Sequence, residues 1–352
     1  MKKIFSLLLV MVMLVTLLSA CGSSSSSKQV SETDNSNTNA TTEKDKPSYT
    51  FKYAELNPDG HIMAQSGQQF AKLVSEKSNG RIKIEVFPAG QLGDEKTMYQ
   101  TLQMGGGAID ICRGNTNALG DFGAKKLTLF GLPFIFRDRA HLWNVLDSEI
   151  GEEFLREPEE IGSSMRGLFY LDEGSRHFFT SKDIVIDSID DFKGLKLRVP
   201  TTDLMTDTVS ALGVQSTPIS FSELYSSLQT GTVDGAEQPF SGYFSNKFYE
   251  VAPNYILTGH TYSPSIVLMS ESVWSKLDEE DQSLVMEAAK EAEKWNRENI
   301  EKLDTDLLEQ IKAAGANVVE VPDKTPYIEA TKSVVLKYAT GYEKYYDAIL
   351  AK

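Results

Sequence analysis

The chain has 352 residues, of which 35 are lysine or arginine and 50 are aspartate or glutamate, so its formal net charge at pH 7 is -15. A surface this acidic repels a phosphate backbone, which makes nucleic acid an implausible partner. The length suffices for two packed lobes even after a terminal segment is set aside.

The chain begins with a segment typical of an export signal. Two lysines at positions 2 and 3 precede an apolar run, residues 4–18, that is too short to cross a bilayer. The sequence then reads Leu-Ser-Ala-Cys, ending at Cys21, and resembles the lipobox of bacterial lipoproteins. We therefore expect a signal peptide over 1–20, cleavage before Cys21 and diacylglycerol on its thiol. The alternative is an ordinary signal peptide whose cysteine is incidental.

Residues 21–47 are rich in Ser, Thr, Asn, Asp and Lys, and we expect this lipidated segment to be a flexible tether. The tether would hold the folded part at the outer face of the cell membrane, or in a periplasm. After Cys21 the remaining cysteine is Cys112, so we expect no intramolecular disulfide.

After the tether, strand and helix patterns alternate. The first half predicts strands at 51–55, 81–87 and 108–112, and helices at 63–78 and 94–104. Because helices separate the strands, we expect parallel pairing and a ligand site at the carboxyl ends of the strands.

The second half continues this pattern. Its predicted elements are strands at 167–171, 177–180 and 195–199 and through Val233, and helices at 203–212 and 222–230. Residues 255–270 form one long extended, apolar segment, which is a candidate hinge strand. Residues 280–314 carry a single helical pattern, whose ragged apolar stripe favours a brace across both lobes over a coiled coil.

Two arginines stand out in the second half. Arg176 lies between two short apolar runs, and Arg198 ends a strand just before Pro200. At a strand end that faces a cleft, a guanidinium can aim its planar donor fork at a carboxylate. Taken alone, each arginine is also compatible with a solvated or structural ion pair.

Four motifs carry a resemblance to a known family. They read Phe-Pro-Ala-Gly-Gln-Leu-Gly at 87–93, Leu-Pro-Phe at 132–134, Lys-Gly-Leu-Lys-Leu-Arg-Val-Pro at 193–200, and Phe-Ser-Glu-Leu-Tyr at 221–225 leading to Thr-Val-Asp-Gly-Ala-Glu-Gln-Pro at 232–239. In order and spacing they resemble the solute-binding (P) subunits of tripartite ATP-independent periplasmic (TRAP) transporters. The resemblance extends from Tyr49 into the long helix.

The resemblance implies an α/β, two-lobe periplasmic-binding-protein-like fold, with hinge strands and a long helix that braces both lobes. On this basis we expect lobe I to comprise residues 48–173 plus 264–303, and lobe II to comprise residues 174–263 plus 304–352. The family's function implies capture of a small organic acid and its delivery to a membrane permease.

The resemblance also implies roles for individual residues of the second lobe. Arg198 matches the carboxylate-clamping arginine, and Arg176 matches a second arginine that supports it. Gln238 stands where many relatives have Asn, and it keeps a carboxamide while adding one methylene. Phe221 matches an aromatic wall of the pocket, although a plain core role is equally compatible with the sequence.

Further polar candidates come mainly from the first lobe. Glu95 matches an acidic residue that accepts ligand hydroxyl groups, and Asn115 matches another polar contact. Glu55, His61 and Asn117 lie on loops expected to face the same cleft, although helix capping or plain loop roles remain open for Glu95 and His61.

His177 completes this polar set, which favours a hydroxyl-rich sugar acid such as D-glucuronate or another hexuronate. The alternatives are a C4-dicarboxylate such as succinate, malate or fumarate, and a partnership with a sensor kinase or an ATP-driven importer.

An exported enzyme is the rival class. The sequence contains no Gly-x-Ser-x-Gly elbow, no His-Glu-x-x-His pair, no Walker loop and no calcium loop. Its four histidines, at 61, 141, 177 and 260, are scattered, and Cys112 falls in an apolar strand. We therefore expect no catalytic activity, no cofactor and no metal site.

Overall fold

The structure, a computed structural model, describes residues 46–352. The predicted signal peptide, Cys21 and nearly all of the predicted tether lie outside the described residues. Within residues 46–352, no helix is both long enough and apolar enough to cross a membrane.

The strands form two sheets. Within the described residues they are β1 (Tyr49–Ala54), β2 (Ile82–Phe87), β3 (Ile111–Asn115), β4 (Met165–Leu171), β5 (Arg176–Thr180), β6 (Lys196–Val199), β7 (Gln215–Pro218), β8 (Gly235–Gln238), β9 (Asn254–Thr261), β10 (Ser265–Ser270) and β11 (Asn317–Glu320). The first sheet has the order β2-β1-β3-β10-β4, and the second has the order β11-β9-β5-β8-β6-β7.

Helices surround the two sheets. They are α1 (Ile62–Lys77), α2 (Glu95–Gln103), α3 (Lys125–Thr128), α4 (Arg139–Leu146), α5 (Glu149–Glu160), α6 (Asp203–Ser210), α7 (Leu224–Gln229), α8 (Phe240–Ser245), α9 (Glu271–Trp274), α10 (Glu279–Ala313), α11 (Thr325–Ala339) and α12 (Glu343–Ala351). Short 3-10 turns occur between them, for example at Phe221–Glu223.

Apolar side chains pack on both faces of the first sheet. Along β10, Ile266 and Leu268 belong to one buried cluster, whereas Val267 and Met269 belong to a second. This alternation follows from the period of two along a strand. A sheet covered on both faces is the α/β arrangement that the sequence predicts.

Pairing within the sheets is mixed, so the prediction of parallel pairing was only partly right. β1 pairs in parallel with β2 and β3, but β10 is antiparallel to both β3 and β4. In the second sheet β5 is antiparallel to β8 and β9. The cause is that the chain crosses between the sheets, which places a strand from late in the sequence inside the first sheet.

Two predicted strands are displaced along the chain. The segment predicted at 108–112 forms its strand at Ile111–Asn115, because the Asp110 carboxylate accepts hydrogen bonds from the backbone N–H groups of Lys52 and Gly107, at 2.9 Å each, and closes a turn there. The strand predicted through Val233 begins instead at Gly235, where it pairs with Leu197.

The extended segment at 255–270 is two strands in different sheets, not one. β9 belongs to the second sheet and β10 to the first, and the break falls at residues 262–264, where Ser263 has a φ of 33°. A second crossover, residues 172–175, joins β4 to β5. These two short crossovers are the places where the sheets could move relative to each other.

The long helix α10 confirms the helical prediction for 280–314 to within one residue at each end. The carboxamide of Asn296 forms two hydrogen bonds to the 172–175 crossover. Its Oδ1 accepts from the Asp172 N–H at 2.8 Å, and its Nδ2 donates to the Asp172 carbonyl at 3.2 Å. Gly174, at φ +94°, leaves no room for a side chain, since a Cβ there would lie 2.9 Å from the Asp304 carboxylate.

The last helix, α12, packs against α4 and α5. The carbonyl of Ile349 lies 2.8 Å from His141 Nε2, and Tyr345 hydrogen-bonds the carboxylate of Glu153. The division of the chain into lobes remains a proposal, and this packing favours grouping residues 343–351 with lobe I.

Candidate functional site

A cleft lies where strand ends of both sheets meet, with about 480 Å³ of space between the atoms, including its opening to solvent. The lining comprises Leu56, Asn57, Glu95, Arg113, Asn115, Asn117, Glu173, Arg176, Arg198, Pro200, Phe221 and Gln238. Seven of the residues predicted from the sequence are in this set.

Arg198 lies on β6 with 3% of its surface exposed. Its Nε donates to the Ile219 carbonyl at 2.8 Å, and its guanidinium carbon lies 5.9 Å from the ring centre of Phe221. Its Nη1 is buried and has no hydrogen-bond partner among the described residues. Burial lowers the pKa of Arg198 to about 10, although the nearby Glu237 partly offsets this effect. The guanidinium is therefore a buried cation, and no carboxylate within residues 46–352 forms an ion pair with it.

Arg176, on β5, is in a different position. Its Nε and Nη2 both donate to the Glu237 carboxylate, and His260 Nε2 lies 3.6 Å from the same group. Burial alone would raise the pKa of Glu237, but Arg176 and His260 lower it to about 2. Burial lowers the pKa of His260, and Glu237 partly offsets this shift. Arg176 is thus held in place by its ion pair with Glu237, which also compensates its charge.

A third arginine, Arg113 on β3, also lines the cleft. Its Nε donates to Glu55 Oε2 at 2.9 Å, and its Nη2 donates to Glu55 Oε1. Asn57 completes the pair, because its backbone N–H and its side-chain Nδ2 donate to Glu55 Oε1 at 2.7 and 3.0 Å. Burial opposes the charge on Arg113, but Glu55 raises its pKa well above the ordinary value.

Glu95, at the start of α2, is a candidate acceptor for ligand hydroxyl groups. Its Oε1 accepts from the Asn115 N–H at 2.7 Å and from the Tyr99 hydroxyl at 3.3 Å. Burial raises the pKa of Glu95, and the Asn115 N–H partly offsets this shift. No hydrogen bond within residues 46–352 engages its other oxygen, Oε2.

Two of the three asparagines that line the cleft, Asn115 and Asn117, contact the 262–264 crossover. Asn115 Nδ2 donates to the Ser263 carbonyl at 3.0 Å, and the Ser263 hydroxyl donates to Asn115 Oδ1 at 2.5 Å. Asn117 Nδ2 donates to the Ser263 hydroxyl at 3.0 Å, while its Oδ1 is buried and unpartnered among the described residues. Both side chains therefore couple the cleft wall to the crossover.

Three of the predicted residues, Glu55, His61 and His177, are not among the residues that line the cleft, and their binding roles stay predictions. Glu55 is behind Arg113 as its ion-pair partner. His61 caps α1, where its Nδ1 accepts from the Met63 N–H at 3.1 Å. Burial lowers the pKa of His61 to about 3. His177 is held by Gly259, whose N–H donates to its Nδ1 at 2.9 Å.

The sequence reasoning missed five lining residues: Leu56, Asn57, Arg113, Glu173 and Pro200. An available signal for Arg113 was an arginine directly after an apolar strand, and this strand in fact extends through it. For Glu173 the available signal was its position three residues before Arg176 in the sequence. It is 5% exposed, and its Oε1 lies 3.8 Å from His61 Nε2.

The described part of the chain contains no group of three or more His, Cys, Asp or Glu side chains arranged to hold a metal ion. Cys112 is fully buried in β3, and burial raises its pKa well above the ordinary thiol value. A buried thiol of this kind is a poor nucleophile.

Comparisons with known proteins agree with this geometry. A family model described as bacterial extracellular solute-binding protein, family 7, matches residues 53–341. A TRAP periplasmic solute-binding protein from Bradyrhizobium sp. BTAi1, in complex with α/β-D-galacturonate, is 34% identical with a TM-score of 0.82, covering 86% of this chain and 100% of that chain. One from Pseudomonas putida F1, with bound D-glucuronate, is 34% identical with a TM-score of 0.82, covering 86% and 97%.

A third relative is the sialic acid-binding periplasmic protein SiaP of Vibrio cholerae, which is 32% identical over 79% of this chain and 85% of its own length. The two-lobe α/β fold and the family predicted from the motifs are therefore confirmed. With a family match over most of its length and a cleft lined by buried arginines, this chain belongs to the bacterial extracellular solute-binding proteins of family 7 and is of the TRAP type.

Proposed function

We propose that this protein captures a sugar acid, a hexuronate such as D-glucuronate or D-galacturonate, and delivers it to a TRAP permease. The observation that carries the proposal is Arg198, a buried guanidinium in the cleft with no carboxylate partner among the described residues. A buried charge is costly unless it is paired, so a ligand carboxylate would supply the missing anion.

The rest of the lining favours a hydroxyl-rich ligand. Glu95 and Glu173 are carboxylates with free acceptor capacity, and Gln238 and Asn117 carry carboxamides. Carboxylates accept hydrogen bonds from hydroxyl groups but repel a second carboxylate. A C4-dicarboxylate would bring that second carboxylate into the same cleft. The set therefore supports a sugar acid over this alternative.

Closure of the cleft couples binding to transport in this proposal. Glu95 comes from the side of the first sheet, whereas Arg198 and Gln238 come from the second. A ligand that contacts both sides stabilises the closed form, because only the closed form allows every contact. The crossovers at 172–175 and 262–264 would act as hinges, and the permease would recognise the closed form.

The export signal and the Cys21 motif support an extracytoplasmic protein that a lipid tethers to the outer face of the membrane. Relatives in the family are solute-binding proteins, and the described lining of the cleft presents carboxylates, carboxamides and arginines without a cysteine or serine nucleophile. We propose binding and delivery, without catalysis, as the protein's task.

A ligand panel tests the proposal. Isothermal titration calorimetry on the tag-free mature protein would compare D-glucuronate, D-galacturonate, N-acetylneuraminate, succinate, malate and the parent hexoses. We expect micromolar or tighter binding for at least one uronate, which corresponds to about 8 kcal/mol, and no binding of the neutral hexoses. Binding of succinate or malate without any uronate would replace the sugar-acid reading by the dicarboxylate alternative.

A further inference from the structure

Arg113 is a cleft residue whose charge is already compensated. Its Nε and Nη2 are committed to Glu55, and no hydrogen bond to Nη1 occurs within residues 46–352. A guanidinium has five N–H donors, so three remain for a ligand. Because Glu55 is fully buried and is also held by Asn57, the pair cannot swing away from the cleft.

Charges around the cleft are finely balanced. The arginines are Arg113, Arg176 and Arg198, and the glutamates that line the cleft or pair with these arginines are Glu55, Glu95, Glu173 and Glu237. With every carboxylate ionised these groups sum to -1. Two of the three arginines are neutralised at contact distance by their own glutamates, which leaves Arg198 as the cation available to an anionic ligand.

We infer that Arg113 is a further ligand-contacting residue and that its pairing with Glu55 restricts the cleft to ligands with a single carboxylate. This inference rests on the proposed function and deepens it. Arg113, whose positive charge is compensated by Glu55, donates hydrogen bonds to hydroxyl or ring oxygens. A second carboxylate on the ligand would find no uncompensated cation, and it would lie near Glu95 and Glu173.

The discriminating ligands are D-galacturonate and galactarate, which share the configuration of their hydroxyl groups but carry one and two carboxylates. The measured quantity is the dissociation constant of galactarate divided by that of D-galacturonate, both for the full mature protein. We expect wild type to bind galactarate at least tenfold more weakly than D-galacturonate. Glu55→Gln leaves the charge of Arg113 uncompensated, and we expect it to reduce that ratio at least tenfold. The ring-to-chain difference between the two acids is common to both proteins and cancels in this comparison.

Glu157→Gln is the matched control. Glu157 is also buried, 3% exposed, and accepts the N–H groups of Lys126 and Leu127 at 2.8 Å each, away from the cleft lining. It should leave the ratio unchanged. A thermal melt of each variant reports whether it is folded.

Since Glu55→Gln leaves a buried arginine without its partner, this variant could fail to fold. The double variant Glu55→Gln/Arg113→Gln removes both charges and tests the role of Arg113 in that case. We expect it to bind D-galacturonate at least tenfold more weakly than wild type does, because the donors of Arg113 are lost, while it keeps the preference for one carboxylate.

Three results would overturn the inference while the proposed function stands: wild type binding galactarate within threefold of D-galacturonate, a folded Glu55→Gln variant with an unchanged ratio, or full affinity in the double variant. If no sugar acid binds wild type at all, the proposed function itself fails.

Discussion

Arg113 and Arg198 line the same cleft from different sheets, but only Arg113 forms an ion pair with a carboxylate among the described residues. Arg113 has a carboxylate partner, Glu55, which is itself held by Asn57. Arg198 is equally buried and has a backbone carbonyl and an aromatic ring instead. The pKa values follow this difference, being raised for Arg113 and lowered to about 10 for Arg198.

The difference supports the proposal that Arg198, and not Arg113, supplies the charge that a ligand carboxylate would meet. A buried ion pair holds its members in place whether or not a ligand is present, because breaking it leaves an uncompensated charge. A buried cation without an anion is a cost that the empty protein bears and that a bound carboxylate relieves. Arg176, locked by Glu237, belongs with Arg113 in this respect.

The largest expected effect comes from removing the unpaired arginine. Arg198→Ala should weaken uronate binding by roughly 100-fold or more, since each charge-assisted hydrogen bond contributes about 1.5–3 kcal/mol. The melting temperature without ligand should stay the same or rise, because a buried unpaired charge is removed. Calorimetry and thermal melts measure both. Arg156→Ala, which removes an exposed arginine of α5, is the control and should change neither. Retained affinity in Arg198→Ala would contradict the assigned role.

Breaking a locked pair should instead cost stability. Glu237→Gln leaves Arg176 unpaired beside Arg198, and we expect the free energy of unfolding to fall by about 3 kcal/mol. The pKa of Glu237 lies at about 2, below its ordinary value of 4.5, so the ionised form stabilises the fold. That stabilisation is present above pH 4.5 and is lost as the pH falls towards 2.

Wild type should therefore lose stability over that acidic range, and the variant should lose less of it. Chemical denaturation from pH 7 down to pH 3 measures both slopes. Equal slopes in the two proteins would show that the pair does not hold Glu237 ionised.

Gln238 is an uncharged residue of the cleft whose contribution to ligand binding can be tested in the same way. Its carboxamide makes no hydrogen bond within residues 46–352, and the residue is 4% exposed. If the carboxamide donates to the ligand, Gln238→Ala should weaken uronate binding about tenfold, or about 1.4 kcal/mol. Gln238→Asn, which keeps the carboxamide and shortens the chain by one methylene, should recover part of the loss. Equal affinities in wild type and Gln238→Ala would remove this residue from the site.

The smallest expected effect concerns Glu293, a buried acid whose pKa is raised by burial, whereas burial lowers the pKa of the base Arg198. Burial raises the pKa of Glu293, on α10, to about 7, and neither the Tyr170 N–H nor Arg297 fully offsets this shift. A raised pKa means that ionisation opposes folding, so stability should fall as the pH rises from about 4.5 to 7. Glu293→Gln should flatten that slope and add about 1 kcal/mol at pH 7.5. Denaturation curves of both proteins at pH 5 and 7.5 test it, and a Glu293→Gln variant that is less stable than wild type at pH 7.5 would contradict it.

Much of the fold was readable from local pattern. The alternation in β2 and the uninterrupted helical pattern of α10 follow from side-chain period and need no tertiary information. The division of residues 255–270 between two sheets was not readable, because both halves are apolar and extended. Only pairing with distant strands, β5 for one half and β3 for the other, separates them.

The site shows the same limit. Motifs placed Arg176, Arg198 and Gln238 near one cleft, and the structure places all three in its lining. They could not tell that Glu55 turns away from the cleft to pair with Arg113, because that pair joins residues 58 positions apart. Ion pairing between neighbouring strands is decided by sheet register, here that of β1 beside β3. The binding roles of these residues stay predictions.

A crystal structure of the protein with bound D-galacturonate would test the central claim most directly. The distance to measure joins the guanidinium nitrogens of Arg198 to the ligand carboxylate oxygens. We expect two contacts of about 2.7–2.9 Å, with Arg113 and Arg176 still paired to their glutamates. A carboxylate bound elsewhere, with Arg198 contacting only protein and water, would contradict it.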